Sequence, residues 1–445
     1  MTITNEQLNQ FRQAFESDKA NHAAKHAVAK VGIYKSSTDN NLKRRHSFVF
    51  SDETKKGDIT NQKSSGRCWM FAALNTARVD TMKKLNMKTF EFSQNYTLFW
   101  DKLEKSNYFL ESILETMEEP LNSRLVQHLL SDPVEDGGQW DMFSGLLEKY
   151  GAVPKSVMPE TYHSSNTREL NQVLTAKLRE FAADLRDGHK AGQSKDELEK
   201  IKEQSLSFVY SLLTKALGEV PDSFSYEYRD EDDAFHRIED ITPVDFFNEY
   251  VDWDLDERVS LINAPTDDKP YGKAYTVKYL GTVKEGKPIT YVNAPIEALK
   301  EAAIASIKDG EPVWFGCDVG KMLDREAGIM DESTYDYEAT LGQALNLTKA
   351  QRLDYGESLL THAMVFVGVD LDNDGEPIKW KVENSWGDKS GDKGIYSMSN
   401  SWFDEYNYQV AVKKKYIEEK WLDALNKPVV ELDPWDPMGS LARVK

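Results

Sequence analysis

Cysteine is scarce in this chain of 445 residues, which contains only Cys68 and Cys317. A secreted protein of this length would more often carry several disulfide bridges, so we expect a reducing compartment, the cytoplasm. Long apolar runs are also missing, since none approaches the roughly 18–20 residues that span a bilayer. The first residues lack the basic, apolar and small-residue order of a signal peptide. These absences argue against a disulfide scaffold and against a membrane-spanning protein.

Basic residues are outnumbered, because 55 Lys and Arg face 75 Asp and Glu, which gives a formal net charge of −20. Such a surface repels nucleic acid and anionic lipid. Two short basic clusters, residues 43–46 and 413–415, are interpreted as ordinary solvated surface. Nucleic acid and membranes are therefore not expected partners.

The remaining composition is that of a globular protein, with 40% hydrophobic and 29% charged residues. Apolar residues at spacings of three and four predict helices. These helices cover about residues 5–30, 68–86, 93–105, 110–131 and 141–150, and two charged helices lie between about 165 and 240. After residue 270, short alternating or apolar runs separated by Gly, Asn and Asp predict strands. The sequence therefore predicts an α+β fold.

We predict five regions along the chain. Residues 1–60 pack on the core, 61–164 form its helical half, 165–270 form a helical insertion with oligomer contacts, 271–420 form a β-rich half, and 421–445 form a C-terminal arm.

The segment around Cys68 has the features of a reactive thiol. A thiol in the first turn of a helix lies near unpaired backbone N–H groups, which favour the thiolate. Gly66 allows a sharp turn before that helix. The Cys68 N–H and the Gln62 amide can together bind an oxyanion, and Trp69 is expected to pack beneath the site. A lone cysteine is more often a small buried hydrophobe, so its neighbours decide the interpretation.

Those neighbours resemble the papain-like cysteine peptidases. The Q-x5-C-W spacing matches Gln62 and Cys68-Trp69, and His362 is followed by an apolar strand. Asn384-Ser385-Trp386-Gly387 and the Gly137-Gly138 pair match two further family elements. The stretch NQKSSGRCW and the tail PWDPMGSLA narrow the resemblance to the bleomycin hydrolase and bacterial aminopeptidase C family, over residues 20–442.

The resemblance implies a papain-like fold with a large helical insertion and a C-terminal arm that reaches the cleft. It also implies a homohexamer that releases N-terminal residues from peptides, without a metal or another cofactor. Cys68 would be the nucleophile, His362 the base, Asn384 its orienting partner and Gln62 an oxyanion donor. The substrate-binding residues implied are Gly137, Gly138, Trp386 and Ala442. In the family the arm's terminal carboxylate meets the substrate's ammonium, so we expect trimming of residues 443–445.

Other candidate sites have weaker support. The other histidines (22, 26, 46, 128, 163, 189 and 236) lack the strand-and-Asn context, and Cys317 is expected in the core. Residues 370–375 imitate the start of a calcium loop, but Lys381 stands where the loop needs Glu. We interpret them as a hairpin turn.

Two alternative functions stay open at this point. One is a thiol endopeptidase built on the same site. The other is a non-catalytic relative, chaperone-like or nucleic-acid-binding, in which the thiol is incidental. The net charge and the joint presence of the Cys, His and Asn motifs disfavour the second alternative.

Overall fold

The computed structural model describes residues 2–443 and divides them between a helical half and one large sheet, so the predicted α+β class is confirmed. The helices are α1 Asn5–Ser17, α2 Lys19–Val31, α3 Ile33–Ser37, α4 Leu42–Arg45, α5 Cys68–Lys84, α6 Gln94–Glu115, α7 Arg124–Ser131, α8 Trp140–Tyr150, α9 Tyr162–Ser165, α10 Arg168–Lys190, α11 Lys195–Leu217, α12 Pro243–Phe246, α13 Ile296–Lys308, α14 Tyr337–Leu341, α15 Lys349–Asp354, α16 Asn400–Tyr406 and α17 Glu419–Leu422. A π-helical turn covers Phe247–Val251, and 3₁₀ turns cover Lys414–Tyr416, Asp423–Asn426 and Pro437–Arg443.

The strands are short, and most of them lie in the second half of the chain. They are β1 Asp52–Glu53, β2 Phe224–Arg229, β3 Phe235–Ile241, β4 Arg258–Ile262, β5 Ala274–Val277, β6 Tyr291–Asn293, β7 Val313–Cys317, β8 Leu323–Asp324, β9 Ile329–Met330, β10 His362–Leu371, β11 Pro377–Glu383, β12 Ile395–Ser399, β13 Asn407–Lys413 and β14 Val430–Leu432. Every strand predicted after residue 270 is present.

The main sheet has 12 strands in the order β14-β5-β6-β4-β13-β7-β10-β11-β12-β9-β8, with β1 paired to β10. The centre is antiparallel, and His362 at the start of β10 lies opposite Cys317 at the end of β7. Helix α5 packs against one face of β10 and α13 against the other. Because both faces are covered, β10 is apolar along most of its length instead of alternating. This arrangement brings the start of α5 to the start of β10.

The β10–β11 connection confirms the hairpin interpretation of residues 370–375. The two strands pair in antiparallel register, with Val365 opposite Glu383. In the turn, the Asp372 carboxylate accepts hydrogen bonds from the backbone N–H groups of Asp374 and Glu376, at 2.8 and 2.9 Å. The turn therefore uses its acidic side chain to close on itself.

Three helix boundaries differ from prediction. The single helix predicted over residues 5–30 is two helices, because the Asp18 side chain accepts from the Ala20 N–H and starts α2 as a new helix. The two helices predicted over residues 93–105 and 110–131 have other bounds, since α6 covers Gln94–Glu115 and α7 covers Arg124–Ser131. Helix α6 runs unbroken past residue 105 to Glu115, since no Gly or Pro interrupts it.

The segment 165–270 is not purely helical, which corrects that prediction. It begins with α10 and α11, which pack on each other and on α6. From residue 224 onward it forms the β2–β3 hairpin, because Tyr226 and Tyr228 alternate with polar residues and Tyr226 packs against Phe90. Strand β4 then joins the main sheet between β6 and β13. The domain boundaries themselves remain predictions.

None of the helices within residues 2–443 combines the length and the apolar character that a bilayer crossing requires.

Candidate active site

Cys68 is the first residue of α5, as predicted, and its residue surface is 2% exposed. The backbone N–H groups of Ala363, Trp69 and Cys68 itself are directed at the sulfur. The sulfur therefore lies beside the first residues of β10, where His362 begins the strand. Cys68 and His362 line the same cleft, whose volume is about 710 Å³. The structure thus brings together two residues that are 294 positions apart in sequence.

Asn384 fixes the orientation of the His362 ring. Its Oδ1 lies 3.0 Å from His362 Nε2 and also accepts from the Ser385 N–H at 2.8 Å. Because that oxygen accepts from the backbone, it is an acceptor for the ring as well, so Nε2 carries the proton and Nδ1 is left as the base. The Trp386 ring covers the pair, with its centroid 4.7 Å from that of His362.

The Gln62 amide is held at both of its atoms. Its Oε1 accepts from Ser385 Oγ at 2.7 Å, and its Nε2 donates to the Ser65 carbonyl at 2.6 Å. An amide nitrogen has two N–H donors, so the second can point into the cleft, which Gln62 lines. The same Ser385 that follows Asn384 therefore orients the predicted oxyanion donor.

Asp136 connects the nucleophile segment to its surroundings, a role that the sequence did not reveal. Its carboxylate pairs with Lys102 at 2.7 Å and accepts from the Gly66 N–H at 2.9 Å. Its carbonyl accepts from the Trp69 indole at 2.6 Å. The Lys102 ammonium holds the pKa of this carboxyl well below its usual range, although burial opposes the shift. Asp136 thus stays ionised and anchors both sides of Cys68.

Glycine is required at three positions of the site because neighbouring atoms lie too close for a Cβ. The chain bends at Gly66 before α5, as expected, and a Cβ on Gly66 would lie 2.7 Å from the Asp136 Cβ, so the contact with Asp136 also requires glycine here. A Cβ on Gly138 would lie 2.5 Å from the Trp69 ring, and one on Gly137 would lie 2.2 Å from the Leu441 carbonyl oxygen. Gly137 therefore touches the C-terminal arm.

The arm enters the protein core beside the cleft. Met438, Leu441 and Ala442 are buried, and the Met438 carbonyl accepts from the side chains of Gln139 and Tyr291. Upstream, the buried Asp436 side chain pairs with Lys269 at 2.9 Å. The arm therefore contacts the protein at Gly137, and its predicted reach into the active-site cleft stays a prediction. Val444 and Lys445, to which the trimming prediction extends, lie outside the described residues.

Burial opposes charge on both members of the Cys–His pair. It raises the pKa of Cys68 to about 11 and lowers the pKa of His362 to about 4. Burial outweighs the backbone N–H groups at the helix start, although these N–H groups act in the expected direction and lower the pKa of Cys68. Burial therefore disfavours an isolated charge on either side chain.

A buried ion pair holds the nucleophile segment from the other side. The Arg67 guanidinium is fully buried and forms two hydrogen bonds with the Glu160 carboxylate, at 3.0 and 2.7 Å. Its Nε donates to Ser65 Oγ at 2.9 Å, in the same loop that holds Gln62. The sequence contains no signal that pairs Arg67 with Glu160.

The other candidates do not line the cleft. Cys317 is fully buried and belongs to the hydrophobic cluster that does not contain Cys68. His46 is hydrogen-bonded to Ser397 and Asp331, at 2.8 and 3.0 Å, away from the cleft. The contacts of His46 imitate a Ser-His-Asp triad, but Ser397 is fully buried. These contacts therefore fix the N-terminal segment to β12.

The Cys–His–Asn geometry on this α+β scaffold defines a papain-like cysteine peptidase, and comparison with known proteins agrees. The chain belongs to the peptidase C1-like family, whose profile matches residues 2–439. It is 48% identical to aminopeptidase C of Listeria monocytogenes over 99% of both chains, and 44% identical to human bleomycin hydrolase over 89% of both. The crystal structure of PepW from Lactobacillus rhamnosis superposes with a TM-score of 0.96 at 49% identity, covering 98% of this chain and 99% of that one.

Proposed function

We propose that this cysteine aminopeptidase cleaves the first peptide bond of its substrates with Cys68 as nucleophile and His362 as general base. The observation that supports this most directly is the hydrogen bond between His362 Nε2 and Asn384, which leaves Nδ1 unprotonated on a residue that lines the same cleft as Cys68. The arm beside that cleft favours removal of terminal residues over internal cleavage.

In the reaction, the Cys68 proton passes to His362 Nδ1 as the sulfur attacks the peptide carbonyl carbon. The carbonyl oxygen gains negative charge, which the Gln62 side chain and the Cys68 N–H stabilise. When the tetrahedral intermediate collapses, His362 gives its proton to the departing amine and a thioester remains. Water then attacks the thioester, passes a proton to His362, and releases the amino acid and the thiol.

The arm supplies the exopeptidase character. Gly137 touches the arm backbone at Leu441, so the cleft is filled on that side. As in the family that this chain resembles, a carboxylate at the end of the arm near Ala442 would bind the substrate's α-ammonium. Gly138 would pair with substrate backbone, and Trp386 would shield the His–Asn hydrogen bond. A free N-terminus is then required for cleavage, which separates this proposal from the endopeptidase alternative.

We also propose a cytoplasmic homohexamer. The described residues of α1 and α2 include none that is buried, while Leu8, Phe11 and Phe15 stay exposed at helical spacing. An exposed apolar stripe of this kind is typical of an interaction surface. The net charge of −20 disfavours nucleic acid as a partner.

The decisive experiment compares Cys68→Ala with the matched control Cys317→Ala on aminoacyl fluorogenic amides. We expect Cys68→Ala to abolish hydrolysis and Cys317→Ala to retain most of it, because only Cys68 lines the cleft. The wild type should cleave amides with a free N-terminus and leave their N-acetylated forms intact. An active Cys68→Ala protein would disprove the proposed site, and internal cleavage of acetylated peptides would favour the endopeptidase.

A further inference from the structure

The open part of the cleft extends away from Cys68 toward helix α10. On the near side the cleft is lined by Cys68, His362 and the segment before the nucleophile, and on the far side by one face of α10. Its volume of about 710 Å³ lies in the range of pockets that hold small ligands. The arm residue Ala442 lines a separate small cavity and not this cleft.

Helix α10 presents a defined stripe to this space. The stripe consists of Arg168, Asn171, Gln172, Thr175, Ala176 and Arg179. These positions recur at spacings of three and four, so they share one helix face. Leu170, Leu174 and Leu178 occupy another face and are buried in the core. The orientation of the stripe is therefore set by the packing of α10, and not by the cleft.

Hydrogen bonds hold this face of α10 at both ends of the stripe. At the first end, Asn171 donates to the Asp136 carboxylate at 2.8 Å, and Thr167 also bonds this carboxylate. At the second end, the Arg179 guanidinium donates to the Leu130 and Ser131 carbonyls, at 2.9 and 2.7 Å. Between these anchors lie Thr175 and Ala176, whose side chains are the small ones of the stripe. The space in front of them is thus preformed.

The position of a bound peptide follows from the proposed function, on which this inference rests. The scissile carbonyl lies at Cys68 with its oxygen toward Gln62, and the arm at Gly137 closes the cleft beyond the first residue. The first residue's side chain therefore extends into the open space that α10 borders.

We propose that α10 is the far wall of the pocket for the side chain of the N-terminal residue, and that Thr175 and Ala176 set its depth. Substrates with long N-terminal side chains, such as Arg, Lys, Met and Leu, fill this pocket, whereas Ala and Gly do not reach α10. The helical segment that distinguishes this chain from shorter papain-like enzymes thus forms part of the specificity site.

The test places a large side chain on α10, so that the far end of the pocket is filled. Thr175→Trp and Ala176→Trp should each lower kcat/KM for Arg and Leu fluorogenic amides by at least about tenfold relative to wild type. The value for the Ala amide should stay within about twofold, because its side chain stops short of the helix. Val173→Trp is the matched control, since Val173 lies on α10 but is 48% exposed and does not line the cleft.

The melting temperature and the rate of Cys68 alkylation by iodoacetamide report whether each variant keeps its fold and its nucleophile. A shift in the Arg-to-Ala ratio in either variant, with alkylation unchanged, supports the proposal. An unchanged ratio in both variants, or equal losses on Arg and Ala amides, would overturn it. If instead the wild type hydrolyses none of these amides, the proposed function itself fails, which is a separate result.

Discussion

Gln62 shows how much of this site is decided by single hydrogen bonds. One amide N–H is used by the Ser65 carbonyl and the oxygen by Ser385, so the amide is held in one orientation. In the proposed reaction, the remaining N–H meets the oxyanion without reorganisation, which is the condition under which such a donor contributes most.

Gln62→Ala should lower kcat by about 10²–10³, with little change in KM, because the bond strengthens mainly in the transition state. Gln127→Ala is the control, since it removes an amide that donates to the Leu121 carbonyl on an exposed surface. Steady-state kinetics on one aminoacyl amide measure both variants. A rise in KM with kcat unchanged would show that Gln62 positions substrate instead.

The Cys–His pair predicts an unusual pH profile. The pair works while it holds one shared proton, and a second proton binds when His362 is protonated, at about pH 4. Because burial lowers the pKa of His362, the active form persists below the range near 6.5 where an exposed imidazole titrates. We therefore expect kcat/KM to be retained from neutral pH down to about 5 and to be lost as pH falls through about 4.

This profile is measured as kcat/KM between pH 3 and 8, with activity checked after return to neutral pH to exclude unfolding. An acid limb centred near pH 6.5 would contradict the expected direction of the His362 shift.

At the scale of elements, the start of α5 is joined to the segment before α9 by the Arg67–Glu160 pair. The two partners are unequal, because the Arg67 side chain is 0% exposed while that of Glu160 is 21% exposed. Removing the carboxylate leaves the buried Arg67 cation without its partner, whereas removing Arg67 leaves a carboxylate that can reach water. The costs of the two losses should therefore differ.

Glu160→Gln should destabilise the protein by about 3–5 kcal/mol, the range found when a buried charge loses its partner. Arg67→Met should cost less, and the double variant should be no worse than Glu160→Gln alone. Urea unfolding monitored by tryptophan fluorescence measures all three variants. Equal losses in both single variants would show that exposure of Glu160 does not matter.

The elements also show what sequence could and could not predict. Cys68, His362 and Asn384 sit in local motifs whose order along the chain was enough to predict their meeting. Asp136 and Glu160 act across gaps of 70 and 93 residues, through side-chain contacts that leave no periodic signal. The β2–β3 hairpin was missed for another reason, since its alternating tyrosines lie next to two strongly charged helices that dominated the interpretation of that region.

At the scale of the whole molecule, the apolar stripe on α1 is the surface that we propose for subunit contacts. Phe11 is 58% exposed although it is aromatic and lies on an amphipathic helix. Phe11→Asp should therefore shift the protein toward smaller species in analytical ultracentrifugation, while Arg12→Asp on the same helix should not. A hexamer unaffected by Phe11→Asp would place the subunit contacts elsewhere, for example on the helical segment after residue 165.

The position of the arm has a consequence for the order of synthesis. The ribosome makes the chain from its N-terminus, and folding follows that direction. Cys68, His362 and Asn384 all precede residues 437–442, and so does β13, the strand that joins β4 to β7 in the main sheet. The arm also closes the core through Met438 and Leu441, so the last-made part of the site completes both the fold and the restriction of the cleft. In the proposed exopeptidase, the segment that limits cleavage to the N-terminal residue is therefore among the last parts of the site to be translated.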